Sequence, residues 1–107
     1  MVRVVINRDG DGVIRAFCAE GHAGGEYGTD IYCAAISAIL QTAVVGLCEY
    51  AGVNPEVDMT DGYLECELCS ADAAREDVRA ITETMFLGLK SFRECNKKYL
   101  KLIEEVL

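Results

Sequence analysis

The chain predicts a two-layer α+β fold, a single four-stranded sheet with two long helices on one face. Three observations carry that expectation. Two short glycine- and aspartate-rich stretches, Asp9-Gly10-Asp11-Gly12 and Asp61-Gly62, each lie between runs of β character, as hairpin turns do. Each pair of runs is followed by a long stretch with apolar residues at helical spacing. The 107 residues make one domain, 1–107, long enough to bury somewhat over ~60% of the surface of the unfolded chain. The element order is therefore strand, strand, helix, strand, strand, helix.

The first strand is Val2 to Asn7, where Val2, Val4 and Ile6 alternate with Arg3 and Asn7. After the turn, Val13 to Glu20 is rich in β-branched and aromatic residues and closes a hairpin. Cys18 shares its alternation with Ile14 and Ala16, which places it on the packed face as a small hydrophobe. A glycine-rich loop follows from Ala23 to Thr29, and Asp30 to about Tyr50 is the central helix. Ile31, Ala35, Ala38, Ile39, Thr42, Val45 and Leu47 leave this helix almost no polar face, so it should be buried on more than one side. A small sheet covers only one side, and the rest falls to the second helix or to a dimer interface.

Gly52 and Pro55 end the helical region. Glu56 to Met59 is a short strand, and Tyr63 to Leu68 alternates cleanly, with Leu64, Cys66 and Leu68 inward and Tyr63, Glu65 and Glu67 outward. Ser70 or Asp72 can cap the second helix, whose core stripe is Val78, Ile81, Met85 and Leu89. Phe92, Tyr99, Leu102, Ile103 and Val106 continue that stripe to the C-terminus, past a break near Cys95 and Asn96. Arg93, Glu94, Lys97, Lys98, Lys101, Glu104 and Glu105 form its solvated face.

Composition narrows the class of function. A net charge of −8 argues against contact with a phosphate backbone, which needs a basic face, and makes a basic partner the more natural one. Six cysteines without a secretory pattern at the N-terminus fit free thiols in a reducing, cytoplasmic setting rather than a disulfide framework. The apolar run Ile31 to Leu47 is interrupted by Ser37, Gln41 and Thr42 and falls short of the ~20 residues of a membrane span. It reads as a core helix, with no membrane partner. Cys66 and Cys69 have CxxC spacing, but a strand directs them to opposite faces and no second CxxC accompanies them, so neither zinc nor redox use is expected.

The chemistry gathers between Gly21 and Ala35, in the run GHAGGEYGTDIYCAA. It holds the only histidine, His22, and Cys33 eleven residues later, in the first turn of the predicted helix. A thiol attacks as thiolate, and an ordinary thiol, with a pKa of about 8.5, is mostly protonated at neutral pH. A helix N-terminus carries unsatisfied N–H groups and partial positive charge, and an imidazole supplies a base. Cys33 and His22 are thus a candidate catalytic dyad. The plain reading of the same residues is an inert core cysteine and a surface histidine. Around them, Asp30 has two roles open, helix cap or orienter of His22. Tyr27 either covers a substrate or anchors its loop. Ser37, one turn beyond Cys33, either touches the reacting group or bonds back to its own helix.

This run resembles the signature of the ribosomal-processing cysteine proteases, small bacterial enzymes. Their pattern is a Gly-His pair, a loop rich in glycine and tyrosine, then Asp-Ile-x-Cys-Ala-Ala and a nearby serine. The matching positions are Gly21, His22, Gly24, Gly25, Glu26, Tyr27, Gly28, Asp30, Ile31, Cys33, Ala34, Ala35 and Ser37, and Gly88 to Phe92 is similar as well. Two departures stand out: a shorter loop between His22 and Asp30, and Tyr32 in place of a small aliphatic residue.

The resemblance implies a homodimeric cysteine endopeptidase that needs no cofactor and removes the N-terminal extension of the twenty-seventh protein of the large ribosomal subunit, a basic substrate, in ribosome assembly. His22 and Cys33 would be catalytic, with Gly21, Tyr27, Asp30 and Ser37 supporting the site or the substrate. The alternative is a non-catalytic dimeric binding module for ribosome assembly. A metal site of His22, Cys33 and Cys18 lacks ligand spacing and a fourth donor.

Overall fold

The computed structural model describes residues 1–21 and 30–107, and of Asp30 the backbone only. Among the described residues are five strands and three α-helices: β1 Val2–Arg8, β2 Ile14–Glu20, α1 Asp30–Val45, β3 Glu56–Thr60, β4 Tyr63–Glu67, α2 Ser70–Ala73, α3 Glu76–Cys95 and β5 Leu100–Val106. A π-helical turn, Gly46–Tyr50, prolongs α1, so the continuous helical run ends at Tyr50 as expected.

The strands form one sheet in the order β3-β4-β2-β1-β5. The two hairpins are antiparallel and joined through β2 and β4, with Phe17 opposite Cys66 and Ala19 opposite Leu64. The sheet departs from the four expected strands at the C-terminus. Leu100–Val106 does not continue the second helix but runs parallel to β1, Val2 opposite Leu100 and Val4 opposite Leu102. The break falls at Asn96, whose side chain donates to the Phe92 carbonyl at 3.0 Å and whose backbone N–H donates to Arg93. With the helix closed there, Leu100 is free to enter the core, where it is 1% exposed.

The third helix is equally local in origin. Cys69 is the residue before the single turn of α2, and Arg75 the residue before α3. Neither Ser70 nor Asp72 caps α3. Asp77, in the first turn, accepts from the Val78 N–H at 2.9 Å while its carboxylate pairs with Arg75. Arg75 also donates to the Ala51 carbonyl at 2.9 Å, tying the start of α3 to the end of the π-helical turn.

The helices pack on one face of the sheet. Val2, Val4, Ile6, Phe17, Leu64 and Cys66 point from the sheet into the core, and Ile36, Leu40, Ala43 and Leu47 meet them from α1, with Val78, Met85 and Leu89 from α3. The phase of β2 differs from the alternation read from sequence. The pairing with β1 slips between Asn7 and Arg8, leaving Arg15 as the extra residue of a bulge, so Ile14 and Phe17 both face the core and Cys18 turns to the open face.

Helix α1 lies beside α3, with Gly46 against Ile81 and Gly88 against Ile39. Its third side is uncovered: Ile31 is 65% and Tyr50 83% exposed. Ile31 to Tyr50 is long and apolar enough, by length and composition, to cross a membrane; four of its side chains nevertheless sit in the core of this domain.

At the far end of the packed face, Arg8 is clamped between Glu83 of α3 at 2.7 Å and Glu104 of β5 at 2.9 Å, and its guanidinium lies over the Phe86 ring. The bond to Glu83 raises its already high pKa, so the charge is permanent.

Candidate active site

Cys33 is in the first turn of α1, partly buried, and packs against the edge of the core. The early N–H groups of this helix have no intrahelical carbonyl to bond, which makes the turn electropositive without any cationic side chain. Two contacts fix the start of the helix. The ring of Tyr32 stacks on Tyr99 with centroids 3.8 Å apart and planes 10° from parallel. Tyr99 is itself held, because its carbonyl accepts from the Val2 N–H at 2.9 Å. The aromatic residue that departs from the family pattern is therefore the one that pins α1 to the entry of β5.

From Cys33 a cleft of about 150 Å³ runs beside α1. Ser37 and Gln41 line its helical side, one and two turns beyond the cysteine. Its opposite side is the β3–β4 hairpin, Met59 to Tyr63, and its floor comes from Val2, Ala19, Ile36, Leu40 and Leu64. Glu20 and Gly21, the end of β2, complete the wall.

Gly21 joins these parts. Its N–H donates to the Gly62 carbonyl at 3.0 Å, which fastens the exit of β2 to the tip of the hairpin. Its φ is +101°, and a Cβ there would lie 2.7 Å from the Met1 carbonyl oxygen. Only glycine permits both the turn and the close approach.

Below the cleft wall, on the open face of the sheet, Tyr63 donates its hydroxyl to Glu65 and shares a hydrogen bond with the Cys18 thiol. Burial pushes the Cys18 thiol up, against the effect of its hydrogen bond with Tyr63, and the bond to Glu65 raises the Tyr63 phenol. Glu65 also raises the carboxyl of Glu67 by hydrogen bonding and repulsion. Cys66, sealed in the core, has its thiol pushed up to about 12, chiefly by burial. Neither Cys18 nor Cys66 is a thiolate at neutral pH. Among the described residues no cluster of histidine, cysteine, aspartate or glutamate is arranged to hold a metal ion.

Of the residues singled out by sequence, the fold brings together Gly21, Cys33 and Ser37 along one cleft. Asp30 is the first residue of α1, at the position expected, with its side chain outside the description. His22 and Tyr27 lie outside the described residues. The hairpin wall, Met59 to Gly62, and Gln41 were not recognised from sequence as parts of the site. Asp61-Gly62 was legible as a turn, but where that turn ends up depends on pairing between β2 and β4.

The family described as Cysteine protease Prp matches residues 1–101. The chain belongs to the Prp family. Among its relatives, the ribosomal processing cysteine protease Prp of Bacillus subtilis is 28% identical over 112 residues, covering 100% of each chain. The protein of the same name from Staphylococcus aureus is 28% identical over 103 residues, 95% of this chain and 97% of its own. The crystal structure of the S. aureus Prp with a covalently linked product peptide superposes with a TM-score of 0.88 at 26% identity, over 98% of this chain and 100% of that one. The same enzyme with a substrate peptide gives 0.88 at 25% identity, over 98% of this chain and 100% of that one. The Prp fold therefore extends over the entire domain, β5 included, and the chain is a cysteine protease by family.

Proposed function

We propose that this Prp protease uses Cys33 as nucleophile and His22 as its base to remove the N-terminal extension of the twenty-seventh protein of the large ribosomal subunit, in the cytoplasm, as a step of ribosome assembly. The observation that carries the reading is the place of Cys33, in an electropositive first helical turn at the end of a cleft open to a peptide. A Prp relative that holds a covalently linked product peptide supports it.

In this mechanism His22 takes the thiol proton and the sulfur of Cys33 attacks the scissile carbonyl carbon. The carbonyl oxygen becomes an oxyanion, and backbone N–H groups at the start of α1 stabilise it. As the tetrahedral species collapses, the C–N bond breaks, His22 protonates the departing amine, and an acyl-thioester remains on Cys33. Water, deprotonated by His22, then attacks the thioester, releases the carboxylate product and restores the thiol. Gly21 sets the turn at the exit of β2, Ser37 offers a hydroxyl one turn along the cleft, and Asp30 and Tyr27 act in support of the dyad.

The enzyme works as a homodimer in this proposal. The uncovered side of α1 and the neighbouring face of α3 form an apolar groove lined by Ala38, Thr42, Tyr50, Ala80, Thr84 and Gly88. Small residues there allow close approach of a second copy, and exposed Leu87 adds apolar area beside them. The acidic chain, with its net charge of −8, attracts a basic ribosomal precursor and disfavours direct contact with nucleic acid.

The test is cleavage of a purified leader-bearing precursor by wild type, Cys33→Ala and His22→Ala, read by intact mass. One defined cut, lost in both variants, is the expected result. A precursor left whole by a folded wild type sinks the substrate assignment, and a cut retained by Cys33→Ala sinks the nucleophile.

A further inference from the structure

Met59 occupies an unusual position. It sits opposite Leu64 in the β3–β4 pairing, and so on the face of the sheet that carries the core, yet it is 55% exposed whereas Leu64 is 6%. The reason is geometric. Strand β3 is the edge of the sheet, and all five of its residues are exposed. The side chain of Met59 is thus left beside the gap between α1 and the hairpin, where it walls the cleft that begins at Cys33.

The dimensions of that gap suit a substrate side chain. Its floor is apolar, with Ile36, Leu40 and Leu64 nearly all below the surface, and its rim is polar, with Gln41 and Asp61 exposed. Its volume of about 150 Å³ matches that of apolar cavities that take up one benzene-sized group, roughly 150 Å³. From Cys33 to Gln41 the cleft spans about 12 Å at 1.5 Å per helical residue. A peptide in extended form advances about 3.3 Å per residue, so a carbonyl at Cys33 leaves a neighbouring side chain within the cleft.

We propose that Met59 is a specificity-determining residue: with Ile36, Leu40 and Leu64 it forms a subsite for one apolar side chain of the peptide substrate, and its thioether sets the size accepted. An unbranched, polarisable side chain on an exposed strand edge adapts its rotamer to the guest, which suits a wall better than a rigid branched residue does. A polar rim then excludes a guest long enough to reach it without a polar end. The proposal rests on Cys33 as the nucleophile, since the subsite is measured from that atom.

The test is position-by-position profiling of blocked octapeptide mixtures, read by mass spectrometry, for wild type, Met59→Ala, Met59→Phe and Cys33→Ala. Wild type should favour an apolar residue at one position near the cut. Met59→Ala should move that preference to larger side chains and lower kcat/KM for the original best residue about 10-fold, the scale on which a methylene in an apolar pocket discriminates. Met59→Phe should move it to alanine-sized residues, and both should leave every other position unchanged. Profiles identical in the three active proteins, or a wild type that discriminates nowhere, absence of cleavage included, overturn the proposal. Cutting by Cys33→Ala overturns the nucleophile instead, whatever the profiles show.

Discussion

Gly21→Ala is the most informative substitution the structure offers, because two separate penalties meet at one atom. The first is conformational: an alanine at φ +101° is outside the regions open to L-residues, at a cost of about 1–3 kcal/mol. The second is steric, since the new methyl would be 2.7 Å from the Met1 carbonyl oxygen. Relief by moving β1 is blocked, because the next residue donates its N–H to Tyr99 and pairs with Leu100. Forcing a methylene into such a contact adds about 1–3 kcal/mol.

The expected total is about 2–6 kcal/mol, a large part of the roughly 5–15 kcal/mol that holds a domain of this size together. Gly52 supplies an internal control. Its φ is +70°, but nothing lies within 4 Å of its would-be Cβ, so Gly52→Ala carries only the conformational cost, about 1–2 kcal/mol. Urea unfolding of the two variants separates the terms. Gly21→Ala should unfold at the lower midpoint, and its surviving folded fraction should show weakened cleavage, because the Gly21 to Gly62 bond sets the cleft wall. Equal midpoints for the two variants, with cleavage intact, would refute the steric argument.

Other outcomes follow from contacts away from Gly21. Tyr99→Ala removes the stack on Tyr32, worth about 0.5–1.5 kcal/mol beyond its area, and frees the start of α1; kcat should fall while Tyr99→Phe keeps it, and equal kcat in the two would show that the stack does not position Cys33. Arg8→Met strips Glu83 and Glu104 of their shared cation at a partly buried site, and should cost about 2–3 kcal/mol in urea unfolding without changing the cleavage profile. Glu67→Gln addresses pH. The Glu67 carboxyl titrates above its usual 4.5 in the folded chain because of Glu65, so the folded state binds that proton more tightly than the unfolded one. Its contribution favours folding at low pH and is lost as pH rises through the raised value. Glu67→Gln should therefore raise the melting temperature at pH 7 and lose that advantage below pH 4.5. A gain confined to acid would reverse the sign and refute the assignment.

Local patterns carried most of the fold. Turn dipeptides located both hairpins, and the helical run to Tyr50 was legible from its apolar spacing even though its last turn is π-helical. What escaped was nonlocal. Leu100–Val106 contains leucine, lysine and glutamate, all good helix formers, and is a strand only because β1 offers an open edge. The facing of Cys18 depends on a bulge at Arg15 that no alternation pattern announces. The site divides in the same way. Gly21, Cys33 and Ser37 were readable from one continuous run, whereas Met59 and the Asp61-Gly62 turn join them only through the β2–β4 pairing.

The parallel pairing of β1 with β5 also governs how the molecule comes into being. Nearly the whole domain separates Val2 from Leu100 in sequence, so distant parts of the chain must find each other before the sheet is complete. Such topology gives a high contact order, for which loop closure must be endured before its contacts are gained, and folding is correspondingly slow. Val2 is at once a partner of Leu100 and part of the cleft floor, and its N–H donates to the Tyr99 carbonyl. Without β5 in place, the floor beneath Cys33 lacks support on one side. The cleft is therefore complete only once β5 has paired with β1.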